Sequence, residues 1–348
     1  MSINQSINQS INQSINQSIN QSINQSINQS INHIYYIFTY FHARGGDYVN
    51  LAHIRALNKL GFNASILFLG RDYNTFAKAM AAFPDIPITR FDLFLTFHPT
   101  DRFISTECYR FMFDGTINFP KENIILHNQL PSATYEIFDS IHQLNEHPFQ
   151  HIIVPSDYAK NTLLEIGVNK SIKTIYPAIP EFFYPQEKSQ KTIKLTYSSR
   201  KRGEDFQTLL FYLRSLYTNN TPLTIVNLDN MSREAVAKEM QDAAIYLSMA
   251  HQESLGLMAL EAMACGCHVV GFTGYPDNAR QSLLKDENGD WVNEGDYYTF
   301  AKKVCEAVEL FKSGARNPKV KNGLHLIETQ FRQAHFEQAL LQFYNGLS

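Results

Sequence analysis

His251-Gln252-Glu253-Ser254-Leu255-Gly256-Leu257-Met258-Ala259-Leu260-Glu261-Ala262-Met263-Ala264-Cys265-Gly266-Cys267-His268-Val269-Val270 leads out of one short apolar run, 244–247, and into a second, 268–272. Its middle, 257–265, reads as a helix, and Gly266 stands at the C′ position, where a left-handed residue ends one. Strand, loop, helix and strand in that order form a βαβ unit. Such a unit requires a parallel sheet with its crossover helix packed on one face.

The same alternation extends in both directions. Apolar runs at 193–197 and 223–226 add strands on the N-terminal side of this unit. Further back, 33–41, 64–69, 92–97, 123–127 and 151–154 read as buried strands, with amphipathic helices over 48–60 and 133–144 between them. The pattern breaks near Pro177, Pro180 and Pro185, followed by the polar Gln186-Glu187-Lys188-Ser189-Gln190, which reads as a crossover linker. The expectation is an α/β chain with two Rossmann-like domains, 33–185 and 186–329, the first completed by a last helix at about 330–348. Paired sheets of this kind bind ligands in a cleft at the carboxyl ends of their strands.

Before the first strand, residues 2–32 repeat Ser-Ile-Asn-Gln without interruption. In a helix an isoleucine every fourth residue drifts about 40° per repeat, so no lasting apolar stripe forms. As a strand the repeat has nothing to pack against, and a disordered low-complexity tail over 1–32 is expected. A four-base unit, CAAT, read three times in one frame spells Gln-Ser-Ile-Asn and accounts for every repeat residue. Gain or loss of one unit would shift the frame, as in the phase-variable surface-glycan genes that this arrangement resembles.

A formal net charge of −3 gives no basic footprint for nucleic acid. The four cysteines, Cys108, Cys265, Cys267 and Cys305, lack paired zinc-site spacing and read as free thiols in a reducing compartment. No basic-then-apolar signal segment is seen, and no uncharged apolar run approaches the roughly 20 residues of a membrane helix. A cytoplasmic location is expected, and no metal or cofactor is called for by the motifs.

The candidate chemistry starts with the two glutamates of the opening stretch, which have seven residues between them. Glu253 falls in the loop before the helix and Glu261 about one turn inside it. Eight residues of helix would separate them by about 12 Å, a span suited to different parts of one extended ligand. The amides of Ser254, Leu255, Gly256 and Leu257 would face a phosphate from the helix N-terminus. Directly after the strand at 193–197 comes Ser198-Ser199-Arg200-Lys201-Arg202-Gly203, whose cations suit a polyanionic ligand or else a solvated face.

Here the sequence resembles family 4 of the retaining nucleotide-sugar glycosyltransferases, of GT-B fold. Their Glu-x₇-Glu motif and the Glu-Ala-Met-Ala-x-Gly-x-x-Val-Val run are matched by 253–270. The resemblance implies that Glu253 contacts the donor sugar, Glu261 the ribose, and the 200–202 cations the diphosphate. Arg200 takes the family's first cationic place; Lys201 and Arg202 are alternatives for the second, because only one residue separates the pairs. The resemblance also places Gly45 and Gly46, in His42-Ala43-Arg44-Gly45-Gly46-Asp47, at the donor diphosphate, and His127 beside the donor sugar, with His98 its rival. Asp101 and Asp114 fall in further loops that nothing singles out. The segment from Gly271 to Asp277 lacks the family's adjacent glycines.

By the same resemblance the reaction is metal-free transfer with retention, a donor phosphate oxygen taking the acceptor's proton. The implied partners are a nucleotide-sugar donor and a glycan or glycolipid acceptor, a growing lipopolysaccharide or lipooligosaccharide core, met by peripheral contact with the inner membrane. A GT-B nucleotide-sugar epimerase and a non-catalytic two-lobed sugar-binding protein are the rivals, separated from a transferase by product analysis.

Overall fold

The computed structural model describes residues 31–92, 94–187, 191–218, 221–275 and 281–347. Two sheets, parallel throughout, carry the chain. By its internal contacts the chain divides into two units: one takes the described residues up to Val154, Leu164–Ile175 and the stretch from Glu337, the other Pro155–Leu163 and Tyr176–Phe336.

The first sheet has seven strands: β1 (Ile34–Phe38), β2 (Ala64–Phe68), β3 (Ile88–Arg90), β4 (Arg102–Thr106), β5 (Ile124–His127), β6 (His151–Val154) and β7 (Ser171–Thr174). Their spatial order is β3-β2-β1-β4-β5-β6-β7. Helices α1 (Gly45–Lys59), α2 (Tyr73–Met80), α3 (Ile141–Glu146) and α4 (Asp157–Glu165) fall along the same part of the chain. Strands β1, β2 and β5 are buried over their whole length, as strands covered by helices on both faces must be.

The second sheet holds β8 (Thr192–Tyr197), β9 (Thr224–Asn227), β10 (Ala243–Met249), β11 (His268–Phe272) and β12 (Asp290–Trp291), in the order β12-β11-β10-β8-β9. Helices α5 (Gly203–Leu216), α6 (Arg233–Asp242), α7 (Leu257–Ala264), α8 (Tyr297–Lys312), α9 (Pro318–Gln330) and α10 (Gln333–Asn345) complete the chain. Side chains of β10 alternate between two cores: Tyr246 joins Leu260, Met263 and Val269, whereas Ile245, Leu247 and Met249 join Leu195, Phe300 and Val304. Sequestering both faces explains why its residues read as a continuous apolar run.

Two sequence expectations are corrected. The described residues of 92–97 are not in a strand; the sheet uses the three-residue β3 before them and the five-residue β4 after them. Phe94 is 92% exposed, while Phe91 and Phe97 pack on Phe119, so this apolar run caps an aromatic cluster instead of pairing. Residues 133–144 are not one helix: a 3₁₀ turn over Pro131–Glu136 ends before Ser140, which caps α3 by accepting the Gln143 amide.

The tail expected over 1–32 falls outside the described residues except at its end. Ile31 is buried, and Asn32 donates from Nδ2 to Asp101 Oδ1 (2.8 Å) and from its amide to Thr100 Oγ1 (3.2 Å). The folded chain therefore takes in the last two repeat residues. No described helix is long and apolar enough to cross a membrane.

Candidate active site

In the second unit, the chain leaves β8 for β9 on one side and returns through α6 to β10 on the other. Loops leaving the carboxyl ends of β8 and β10 diverge there, which is where parallel sheets open a ligand crevice. The cation cluster follows β8 and the Glu253 loop follows β10, so the fold brings both sequence-predicted groups to this point.

The loop after β8 is pinned by a residue the sequence did not single out. Asp229 accepts from Ser198 Oγ (2.5 Å) and from the Ser199 amide and hydroxyl (3.1 and 2.5 Å). Burial alone would raise this carboxyl, but the hydroxyl donors outweigh it and hold it below the ordinary range.

Arg202 turns inward. Its buried guanidinium donates to Asp205 Oδ2 (2.9 Å), pairs with Glu294, meets His251 Nδ1 (2.7 Å) and lies 5.0 Å above the Phe272 ring. Lys201 turns the other way, donating to Glu253 Oε1 (2.6 Å) and to the His251 carbonyl (2.9 Å) across the gap between the two loops. Arg200 is exposed, with no ion pair among the described residues. Of the three cations, then, Arg200 and Lys201 present charge to solvent, and Arg202 serves as an internal strut.

The Glu253 loop is held by its backbone. Its amide at Glu253 donates to the Gly274 carbonyl (2.9 Å), the Ser254 carbonyl accepts from the Ser156 hydroxyl, and the Leu255 carbonyl accepts from the Tyr275 hydroxyl (3.0 Å). Leu255 itself is core. Gly256 caps α7 with a φ of 80°, a left-handed conformation that glycine adopts without strain, and Leu257 begins the helix. Gly274 matters for a different reason: a Cβ there would lie 2.7 Å from Glu253 Cγ. The glycines at 271 and 274, although not adjacent, thus admit the neighbouring chain.

Glu261, on the second turn of α7, is buried. Burial pushes its carboxyl up, opposed by Arg233, whose guanidinium pairs with Glu261 Oε1. Arg233 opens α6, 28 positions away in sequence, a partnership that no local spacing signals. The far end of α7 closes in a Schellman motif: the Gly266 amide, at φ 71°, bonds the Met263 carbonyl and the Cys267 amide bonds that of Ala262.

The first unit has its own divergence point, between β1 and β4. After β1, Ala43 takes a positive φ of 53°, and Asp47 accepts the amide of His42 (2.8 Å) as α1 begins at Gly45. Gly46 lies directly beneath Gln129, whose Nε2 donates to the Gly46 carbonyl (3.1 Å) and to Asn50 Oδ1 (3.2 Å). His127 ends β5 fully buried, with Nδ1 2.8 Å from Asn50 Oδ1 and its ring 4.9 Å from that of His53. Because Asn50 Oδ1 can only accept, Nδ1 carries the proton and Nε2, which has no hydrogen-bond partner among the described residues, carries a lone pair. Burial pushes His127 down to about 3, so it stays neutral near pH 7.

Glu107, immediately after β4, accepts the amides of Gln129 (2.9 Å) and Leu130 (2.8 Å), and burial pushes it up to about 7. His98 is exposed and, among the described residues, bonds locally, through Nδ1 to Thr100 Oγ1 (2.9 Å). The Asp101 backbone turn also involves His98, whose amide donates to the carboxylate; Asp114 accepts the Thr116 amide. Asn50, Gln129 and Glu107 were not legible as site residues, because amides and a lone acid in loops carry no spacing signal. Among the described residues no group of three or more His, Cys, Asp or Glu is placed to hold a metal.

Comparison with known proteins fits this geometry. Residues 212–309 match the family described as glycosyl transferases group 1. An alpha-1,6-glucosyltransferase of Actinobacillus pleuropneumoniae serotype 7 is 44% identical over 317 residues, 90% of this chain and 94% of that protein. Among solved structures, Anabaena HepE in complex with UDP and glucose aligns with a TM-score of 0.65 at 14% identity, covering 90% of this chain and 99% of its own. A glycosyltransferase from Rickettsia africae aligns at 0.63 and 12% identity, covering 91% and 98%. With 44% identity sustained over 90% of its length, the chain belongs to the group 1 glycosyltransferases of GT-B fold and is itself a glycosyltransferase.

Proposed function

We propose that this enzyme transfers glucose from UDP-glucose to a hydroxyl of a growing surface glycan, making an α-1,6 linkage with retention of configuration. The observation that supports the donor assignment is the Lys201–Glu253 bond, which joins the loop after β8 to the loop after β10 where they diverge; Arg200 stands in the first of these loops and Glu261 on the helix that follows the second. The sugar and linkage come from the name of the 44% identical relative, and the nucleotide from the UDP held by a protein of the same fold. An α-linked donor giving an α-linked product keeps its configuration.

In this mechanism Arg200 and Lys201 neutralise the diphosphate as it leaves, each charge-assisted bond supplying about 1.5–3 kcal/mol. The Lys201–Glu253 pair keeps both groups satisfied before the donor arrives. Donor entry splits it, Lys201 turning to phosphate and Glu253 to the sugar hydroxyls. The amides from Ser254 to Leu257 meet the diphosphate at the start of α7, and Glu261 accepts the ribose hydroxyls. No metal is required. The acceptor is a lipooligosaccharide core met at the inner membrane face, and the tetrapeptide repeat is a translated phase-variation tract without a catalytic role.

A thermal-shift panel of UDP-, GDP- and ADP-glucose tests the donor, with selective stabilisation by the UDP form expected. Glu261→Ala should lower transfer about a hundredfold or more. Near-normal transfer by that folded variant would remove Glu261 from the site.

A further inference from the structure

Glu261 is a buried charged group near the proposed donor site, and a buried carboxylate does not remain ionised and aimed without help. Its help comes from one side chain. Arg233, on the first turn of α6, directs Nη2 to Glu261 Oε1, and among the described residues Oε2 takes no hydrogen bond. The arginine is itself fixed: its guanidinium lies 5.6 Å above the Phe183 ring and 5.9 Å above that of Phe182, both packed beside α7. Ser232 holds the start of α6 by accepting the Ala235 amide, so the base of the Arg233 side chain is set as firmly as its tip.

We propose that Arg233 is the positioning residue of the donor site, holding Glu261 by one carboxylate oxygen so that the other is presented to a ribose hydroxyl. The inference rests on the assignment of the ribose to Glu261 made above. It goes further in giving the ribose contact a second, non-touching residue, and in making recognition of the ribose, as distinct from the base or diphosphate, depend on it. Without the guanidinium, burial favours the protonated acid. A neutral carboxyl free to rotate accepts a hydroxyl's hydrogen bond less strongly and in no fixed direction.

The test compares UDP with 2′-deoxy-UDP and 3′-deoxy-UDP by calorimetric titration of the full chain. The native protein should prefer UDP over at least one deoxy form by about ten- to a hundredfold, the worth of a hydrogen bond to a charged group. Arg233→Met should bring that ratio to within about threefold while still binding the deoxy form, and Arg233→Lys should restore most of it. A purely structural ion pair would weaken all three nucleotides alike and leave the ratio intact, and an intact ratio in folded Arg233→Met overturns the inference. Should the methionine variant not fold, an unchanged ratio in folded Arg233→Gln does so instead. Glu261→Gln separates the two levels of the argument: if it keeps the native ratio, or the native protein binds no UDP, the ribose assignment itself has failed.

Discussion

Arg202 and Lys201 are neighbours in sequence with opposite orientations, so replacing each by methionine should separate stability from donor binding. The Arg202 side chain is 6% exposed, and its partners Asp205 and Glu294 are 38% and 58% exposed. Removing a fully buried ion-pair partner costs about 3–5 kcal/mol, but these two carboxylates can hydrate once abandoned, so about 1–3 kcal/mol is the expected loss for Arg202→Met. For a unit of this size each kcal/mol lowers the midpoint by about 2–4 °C, giving a fall of several degrees. Lys201 is 32% exposed and pairs with Glu253 at 25%, and a pair this open contributes about 0–1 kcal/mol. Lys201→Met should therefore melt within a degree or two of the native protein. Its loss should appear in UDP binding, where one charge-assisted bond to phosphate corresponds to about a ten- to hundredfold rise in Kd. Differential scanning fluorimetry and calorimetric titration read the two quantities on the same samples. If Arg202→Met melts normally yet loses UDP while Lys201→Met binds it unchanged, the assignment of strut and ligand is reversed and the reasoning from burial is wrong.

Four further outcomes follow from the packing and burial of single residues. Gly46→Ala puts a Cβ 2.0 Å from Gln129 Oε1, so Gln129 must release its bonds to the Gly46 carbonyl and Asn50; a stability loss of about 1–2 kcal/mol is expected, and urea titration should find it abolished in a Gln129→Ala background. Gly266→Ala forces a left-handed alanine at the end of α7 with its Cβ 3.3 Å from Pro185 Cβ, costing about 1–2 kcal/mol with UDP affinity retained, measured on the same instruments. His127, held down to about 3 from the ordinary 6.5, leaves the folded chain neutral where the unfolded chain takes up a proton; its stabilisation is complete above pH 6.5 and is lost as pH falls toward 3, and His127→Asn should flatten that acid limb in pH-dependent melts. Glu107 acts with the opposite sign, its protonated form being favoured by folding and its contribution fading as pH rises through about 7.

Much of the fold was legible because buried parallel strands carry the strongest signal a short segment can. Strands β6 and β11 coincide with the apolar runs at 151–154 and 268–272, and Gly266 ends α7 as its position implied. The misreading at 92–97 has the same origin as the successes. A run of Phe and Leu registers as something to bury but does not say whether a sheet or an aromatic cluster will bury it, and β3, with only three residues, gave nothing to outweigh it. Of the candidate site, Glu253, Glu261 and the cations were legible as candidates because they fall in one linear motif or directly beside a strand end. Arg233 and Asp229 were missed because their roles exist only after β8, β10 and their helices have assembled, and Asn50 because its role needs α1 beside the end of β5. Nor does spacing distinguish Lys201 from Arg202; the difference lies in Phe272, Glu294 and His251, which only the folded chain gathers around the arginine.

The central claim is transfer of glucose from a nucleotide donor with retention, and product analysis tests it most directly. Purified full-length protein would be incubated with UDP-glucose labelled in the sugar and with surface glycan isolated from cells lacking this enzyme, and the product examined by NMR at the anomeric position and the linked carbon. The account predicts release of UDP and a new α-linked glucose on a 6-hydroxyl, abolished by Glu261→Ala. A β-linked product, an epimerised free nucleotide-sugar, or no transfer from any glucose nucleotide would contradict it.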